Sequence, residues 1–233
     1  MSTIITCEHV NKEYGKKKAL KDVNLSIENG RIIGLLGSNG SGKTTLIKLI
    51  NGLLVPTSGE VLILGSKPGV ESKKIISYLP ERTYLPNNET IEQVIQYFSD
   101  FYFNFNVEKA YQLLEKLKIN PKDKLSTLSK GTKEKVQLVL VMSREADVYI
   151  LDEPIGGVDP VARDYILSLI LDNFKEGATL IISTHLIADI EKILDDVIFI
   201  HEGKIILQSS ADELRMQYKG SIENAFKEVF KNV

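Results

Sequence analysis

Two stretches of the chain carry residue types and spacings suited to phosphate chemistry. The first is GSNGSGKTT, Gly37 to Thr45, which follows the apolar run RIIGLL from Arg31 to Leu36. Gly37, four residues, then Gly42, Lys43 and Thr44 is the spacing of a loop that cradles a nucleoside triphosphate. Glycines at 37, 40 and 42 let the backbone turn with positive φ. The N–H groups of the loop, Ser38, Asn39, Ser41 and Thr45 included, can then approach phosphate oxygens that a Cβ would keep away. Lys43 adds a mobile point charge. The helix starting near Lys43 aims unpaired N–H groups at the same anion, and the Thr44 hydroxyl is placed to ligate Mg²⁺. The second stretch is VYILDEP, Val148 to Pro154, a buried apolar strand ending in two acids. In phosphate-loop folds the strand next to the loop ends in an aspartate that holds Mg²⁺ through water, the role expected of Asp152. Glu153, one position on, faces the γ-phosphate side, where a water must be oriented and relieved of a proton.

The elements that position these groups read as an alternating α/β pattern. Short β-type runs at Ile4–Val10 and Val23–Ile27 form an antiparallel ribbon, joined by the polar link NKEYGKKKALKD. Tyr14 in that link is an aromatic beside Gly15 and a lysine run, with a face free to stack on adenine. A helix is expected over Thr44–Leu53 and strands at Glu60–Leu64 and Ile75–Leu79. From Thr90 the pattern is helical, with segments at Thr90–Phe98, Val107–Leu117 and Gly131–Ser143. The aromatic run DFYFNFN, Asp100 to Asn106, sits at the centre of this insertion and reads as satellite core rather than as a docking surface. Strands return at Asp147–Leu151, Ala178–Ser183 and Val197–Ile200, with helices Pro160–Asn173 and Leu186–Leu194 between them. A strand-like KIILQ and two amphipathic pieces, Ala211–Tyr218 and Ser221–Phe230, follow. The fold class is therefore α/β: a phosphate-loop core with a mainly parallel sheet, an N-terminal antiparallel β ribbon and an inserted helical subdomain. It is expected to be one domain over 1–233, with a core at about 1–84 and 144–208, the helical subdomain at 85–143 and a helical tail at 209–233.

Composition narrows the partners. Twenty-nine Lys+Arg against 31 Asp+Glu gives a formal charge of −2 over 233 residues, so no global field draws in nucleic acid or an anionic membrane. The single cysteine, Cys7, rules out an intrachain disulfide and a cysteine-rich metal site, and fits a reducing compartment. No basic segment followed by a long apolar one opens the chain, so no signal peptide is expected. No apolar run reaches the ~20 residues of a membrane span.

With the two phosphate motifs in register, further motifs complete a family pattern. The sequence resembles the ATPase subunit of ATP-binding cassette (ABC) transporters over nearly its whole length. LSKGTKEK, Leu128 to Lys135, is similar to the family signature, commonly LSGGQ. GGVD, Gly156 to Asp159, is similar to the loop after the catalytic glutamate, and STH, Ser183 to His185, to the strand end that carries a switch histidine. Ser129 is placed as the N-cap of the helix from about Gly131, forming a second anion site with Lys130 and Gly131. The resemblance implies that this signature closes on ATP held by another subunit, so that a head-to-tail pair, homodimer or heterodimer, sandwiches two ATP molecules. It implies that Asp159 crosses the dimer interface and that His185 senses the γ-phosphate. It also implies integral membrane permease subunits as partners, a cytoplasmic position on the inner face of the cell membrane, and Mg²⁺-dependent ATP hydrolysis coupled to transport. Two departures stand out. Glu81 occupies the place of the usual glutamine that touches Mg²⁺ or the attacking water, and Lys130 and Thr132 replace residues of the common signature. Glu81, the short chain and the tail helix resemble exporter-type bacterial subunits. A soluble regulatory ATP switch is the competing reading; the long coiled coils or paired cassettes of such members are missing from the pattern.

Overall fold

The computed structural model describes residues 2–218 and 220–231. Strand β1 (Thr3–Tyr14) and β2 (Lys17–Glu28) form a long antiparallel hairpin. With β4 (Ser58–Ile63) on the other side of β1 they make a three-stranded antiparallel sheet. The expected polar link is therefore strand on both arms, turning only at Gly15 and Lys16, where Gly15 has φ +58°. The apolar alternation that marks a strand fails at the tip because its residues pair by charge, Lys18 lying 3.4 Å from Glu13. Midway, His9 and Asp22 both sit at φ +50° among register shifts, which breaks the period again. Cys7 is buried in this sheet's core, and burial pushes its thiol up to about 12, leaving it inert.

The second sheet has six strands, β3 (Ile32–Leu36), β5 (Ile76–Leu79), β6 (Val148–Asp152), β7 (Thr179–Thr184), β8 (Asp196–His201) and β9 (Lys204–Ser210). Their order is β5-β6-β7-β3-β8-β9, parallel throughout except for β9, which is antiparallel to β8. Strands β6 and β7 are buried at every position. Both faces of a parallel sheet are covered, so its strands read as apolar runs rather than alternation. This order corrects one expectation. The strand that ends in Asp152 is not next to the phosphate-loop strand; β7 lies between β6 and β3 and brings Ser183 between the two motifs.

Helix α1 (Lys43–Ile50) follows the loop, and α2 (Val70–Ile75), a six-residue helix not expected from the sequence, precedes β5. Helix α2 is closed by Ser72, whose hydroxyl accepts from Gly69 N and donates to Gly69 O. It is too short to carry a helical period. The inserted helices are α3 (Ile91–Phe101), α4 (Val107–Lys116) and α5 (Lys130–Met142), with a 3₁₀ turn at Leu125–Thr127. Thr90 and Asn106 cap α3 and α4 by accepting from Gln93 N and Lys109 N. The second half of α5 is wholly buried and shares one apolar cluster with α3, α4 and the sheet. Helices α6 (Pro160–Leu171), α7 (Ile187–Ile190), α8 (Ala211–Gln217) and α9 (Ile222–Lys231) complete the chain, α7 ending four residues sooner than the pattern suggests.

The aromatic run at 100–106 is only partly core. Phe105 and Tyr102 pack on Phe98 at 5.6 and 5.5 Å between ring centres, and Arg144 stacks on Tyr102 at 3.8 Å. Phe101 and Phe103, by contrast, are 83% and 82% exposed. The expectation of satellite core is corrected for these two, because the chain leaves α3 with alternate rings turned outward.

Candidate functional site at the strand ends

Parallel strands β3, β7 and β6 end at the same edge of the sheet, and each hands a functional group to that edge. After β3 the chain turns tightly: a Cβ on Gly37 would lie 2.4 Å from Ile200 O, and Gly40 and Gly42 have φ +80° and +116°. Gly42 is also the N-cap of α1 and offers no side-chain acceptor, so the first N–H groups of α1 have no cap. Tyr14, Gly40, Thr44, Thr45, Glu81 and Glu153 line a groove of about 630 Å³ over this helix end, together with Lys43 and the lysines of the ribbon tip.

Lys43 is almost fully buried. Its Nζ donates to Gly37 O at 2.8 Å and Ser38 O at 3.3 Å, and lies 3.3 Å from Glu153 Oε1. The ammonium thus bridges the loop carbonyls and the strand-end glutamate. Asp152, 1% exposed, receives the Ser183 hydroxyl on Oδ1 at 2.5 Å, with the Thr44 hydroxyl near its carboxylate. Burial pushes its carboxyl up from the ordinary aspartate range, against the opposing pull of these two hydroxyls. Its Oδ2 is buried without a hydrogen-bond partner, as is the Ser41 hydroxyl.

Glu153 adopts φ +53°, a left-handed conformation that a non-glycine residue holds at a cost of about 1–3 kcal/mol. Two bonds from its N–H, to Ser183 O (2.9 Å) and Ser183 Oγ (3.3 Å), and one from Gly156 N to its carbonyl (3.0 Å) fix the turn. The turn aims the side chain back along the sheet edge. There Oε2 accepts from the Thr184 hydroxyl at 3.2 Å and meets His185 Nδ1 at 3.0 Å, while Oε1 has only the Lys43 ion pair and no hydrogen bond. A carboxylate whose Oε1 carries no hydrogen bond, held between a lysine and a histidine beside a phosphate cradle, is placed to take a proton from water.

The structure brings Tyr14, the phosphate loop, Glu81, Asp152, Glu153 and His185 to one edge. It does not bring Ser129, Lys130 or Gly131 onto the Lys43 groove. Ser129 caps α5, its hydroxyl accepting from Thr132 N at 3.2 Å and meeting Thr132 Oγ1 at 2.8 Å. Ser129 and Gly131 line a cleft of about 260 Å³ that Glu81, Asp152 and Glu153 share and that Asp159 and Gly157 close from the other side. Lys130 extends into solvent with Glu134 at 3.7 Å, and a Cβ on Gly131 would meet nothing. Asp159 itself is the N-cap of α6, accepting from Ala162 N at 3.1 Å, with Pro160 following.

Three residues with positioning roles carried no assignment from sequence. Ser183 holds both Asp152 and the Glu153 turn, and Thr184 holds the Glu153 carboxylate. Gln137, 2% exposed on α5, donates to Pro80 O at 3.2 Å and accepts from Tyr84 N at 3.3 Å, clamping the loop that carries Glu81. Its signal is legible afterwards as the one polar residue in the apolar run Val136–Met142.

A family model described as ABC transporter matches residues 20–156. The chain belongs to the ABC transporter family. Among relatives of this ABC protein, the ABC transporter ATP-binding protein YtrB of Bacillus subtilis is 33% identical, over 92% of this chain and 75% of the relative. The bacitracin transport ATP-binding protein BcrA of Bacillus licheniformis is 31% identical, over 96% and 75%. A solved ATP-binding subunit of an ABC transporter superposes with a TM-score of 0.86 at 27% identity, over 97% of this ABC chain and 99% of that one.

Proposed function

We propose that the chain is the Mg²⁺-dependent ATP-hydrolysing subunit of an ABC transporter, working as a dimer that powers a separate membrane permease. The observation that carries this is the Glu153 carboxylate, half-buried between Lys43, Thr184 and His185 at the mouth of the phosphate loop. ATP hydrolysis is the family activity. The free N–H groups of Gly37–Thr45 and the Lys43 ammonium bind the phosphates, Tyr14 stacks on the base, and Glu153 orients the attacking water and takes its proton. His185, on the other face of the same carboxylate, reports whether the γ-phosphate is present.

Mg²⁺ fits the residues present. Among the described residues no cluster of three His, Cys, Asp or Glu side chains is arranged to hold a metal alone. Mg²⁺ is usually held by one or two carboxylates plus phosphates and waters, and the unpartnered Asp152 Oδ2 beside Thr44 supplies such a half-set, with Glu81 an added carboxylate near it. Bound there, the ion would neutralise phosphate charge. Asp152 keeps its position through Ser183.

Ser129 and Gly131 open onto a cleft that shares Glu81, Asp152 and Glu153 with the Lys43 edge but do not line the Lys43 groove itself, which leaves the groove open for a second subunit. Another copy of this chain carries every residue needed; a different ABC ATPase subunit is the alternative partner. Loss of the γ-phosphate then removes the charge that both subunits grip. Among the described residues no helix is long and apolar enough to cross a membrane. The translocation path is therefore assigned to permease subunits at the inner face of the cell membrane, docking near Tyr78–Phe105 with its exposed Phe101 and Phe103. Export is the direction proposed, on the exporter-like Glu81 and tail helix. The proposed division is a core at 1–84 and 144–208, a helical subdomain at 85–143 and a tail at 209–233. The test is Mg²⁺-dependent phosphate release by the purified chain: Lys43→Ala is expected to abolish both nucleotide binding and turnover, and full turnover in that variant would overturn the proposal.

A further inference from the structure

Tyr14 is 47% exposed at the tip of a two-stranded ribbon, a place where a ring ordinarily has freedom in both χ angles. Here it has a neighbour. Lys12, two residues earlier and so on the same face of β1, places Nζ 5.3 Å from the centre of the Tyr14 ring, within cation–π range. The ammonium is itself anchored, donating to Val55 O at 2.8 Å. The segment that offers this carbonyl is stitched to the ribbon in turn: Thr57 N donates to Asn11 O at 2.8 Å, and the Thr57 hydroxyl accepts from Glu13 N at 3.0 Å. Among the described residues Tyr14 lines the groove over Lys43 and Lys12 does not. The cation therefore sits over the ring without itself lining the groove.

We propose that Lys12 is a positioning residue for the nucleotide base, pinning one face of the Tyr14 ring so that the other face is presented to the purine. This rests on the reading of Tyr14 as the ring that stacks on the base. Two physical effects support it. Fixing the ring before ligand arrives removes part of the ordering cost of binding. A cation on one face also draws π density toward itself, which favours an electron-rich purine on the opposite face. Lys17 and Lys18, which line the groove, can meet ligand charge directly; Lys12 acts through the ring alone and so affects only ligands that carry a base.

The experiment compares equilibrium binding of ADP with that of inorganic triphosphate, which has phosphates but no base, to the full chain and to Lys12→Met, Lys12→Arg, Tyr14→Ala and the Lys12→Met/Tyr14→Ala pair. Lys12→Met is expected to weaken ADP binding about two- to five-fold and leave triphosphate unchanged. Lys12→Arg, which keeps a cation over the ring, is expected to retain ADP affinity, and Lys12→Met is expected to add nothing once Tyr14 is Ala. If Tyr14→Ala weakens both ligands alike, or neither, the stacking reading fails and the role of Lys12 falls with it. If Tyr14→Ala is selective for ADP but Lys12→Met leaves ADP unchanged, weakens triphosphate equally or adds fully to Tyr14→Ala, the role of Lys12 alone is overturned.

Discussion

Replacing Glu153 by Gln separates binding from chemistry. The side chain keeps its size, and its amide still offers an oxygen to Thr184 or His185, so the left-handed turn fixed by Ser183 and Gly156 is preserved. What disappears is the charge that faces Lys43 at 3.3 Å and the basicity that can take a proton. A positioned general base contributes typically 10²–10⁴-fold, so turnover is expected to fall by that factor, about 3–5 kcal/mol in activation free energy. Nucleotide affinity should move the other way or not at all. In the free chain Glu153 competes with phosphate for the Lys43 ammonium, and the amide competes less. The assay is phosphate release at saturating Mg²⁺ and ATP beside calorimetric ATP binding to the same preparation. Turnover within ten-fold of the parent would refute Glu153 as the base. A large loss of ATP affinity would refute the competition for Lys43.

Further outcomes follow from the groups that hold this site. Ser183→Ala strips Asp152 Oδ1 of its hydroxyl donor and is expected to cost about 1.5–3 kcal/mol of stability, as hydrogen bonds to charged groups do, read as a lower urea midpoint together with a changed Mg²⁺ requirement. Gln137→Leu leaves Pro80 O and Tyr84 N without their clamp, and faster amide exchange over residues 81–84 with α1 unaffected is the expected signature. The raised Asp152 carboxyl sets a pH dependence with a definite sign. Its charged form is disfavoured by burial, so at neutral pH it costs stability in the folded chain, and that cost is relieved as pH falls through the raised value. Mg²⁺ needs the deprotonated form, so the Mg²⁺ concentration for half-maximal turnover should climb on acidification at a higher pH than for an ordinary aspartate. A Mg²⁺ requirement flat down to the ordinary aspartate range would contradict this.

What was legible in the sequence was chemistry concentrated in short runs. The phosphate loop and the acid-ended strand β6 each place their residues by local geometry, a glycine turn in one case and a strand end in the other, so spacing alone reveals them. The cap of α5 was equally local: Ser129 accepts from Thr132 N, three residues on. The parts that escaped depend on distant contacts. Strand order set β7 between β3 and β6, which turned Ser183 from a strand residue into the support of Asp152. Gln137 gains its meaning only when α5 packs beside the 80–84 loop. The ribbon tip hid its strands because its cross-strand partners are charged, and Phe101 and Phe103 face solvent where composition alone argued for core.

The most direct test of a site shared between subunits is a mixing experiment with two inactive chains. Lys43→Ala removes the phosphate-loop charge but keeps the signature; Ser129→Arg blocks the signature but keeps the loop. Each alone is expected to hydrolyse ATP poorly. If Ser129 of one copy completes the Lys43 site of another, turnover reappears on mixing, because a mixed pair contains one intact combination of loop and signature. Turnover of the mixture no greater than the sum of its components, or full turnover by Ser129→Arg alone, would contradict a site built from two copies.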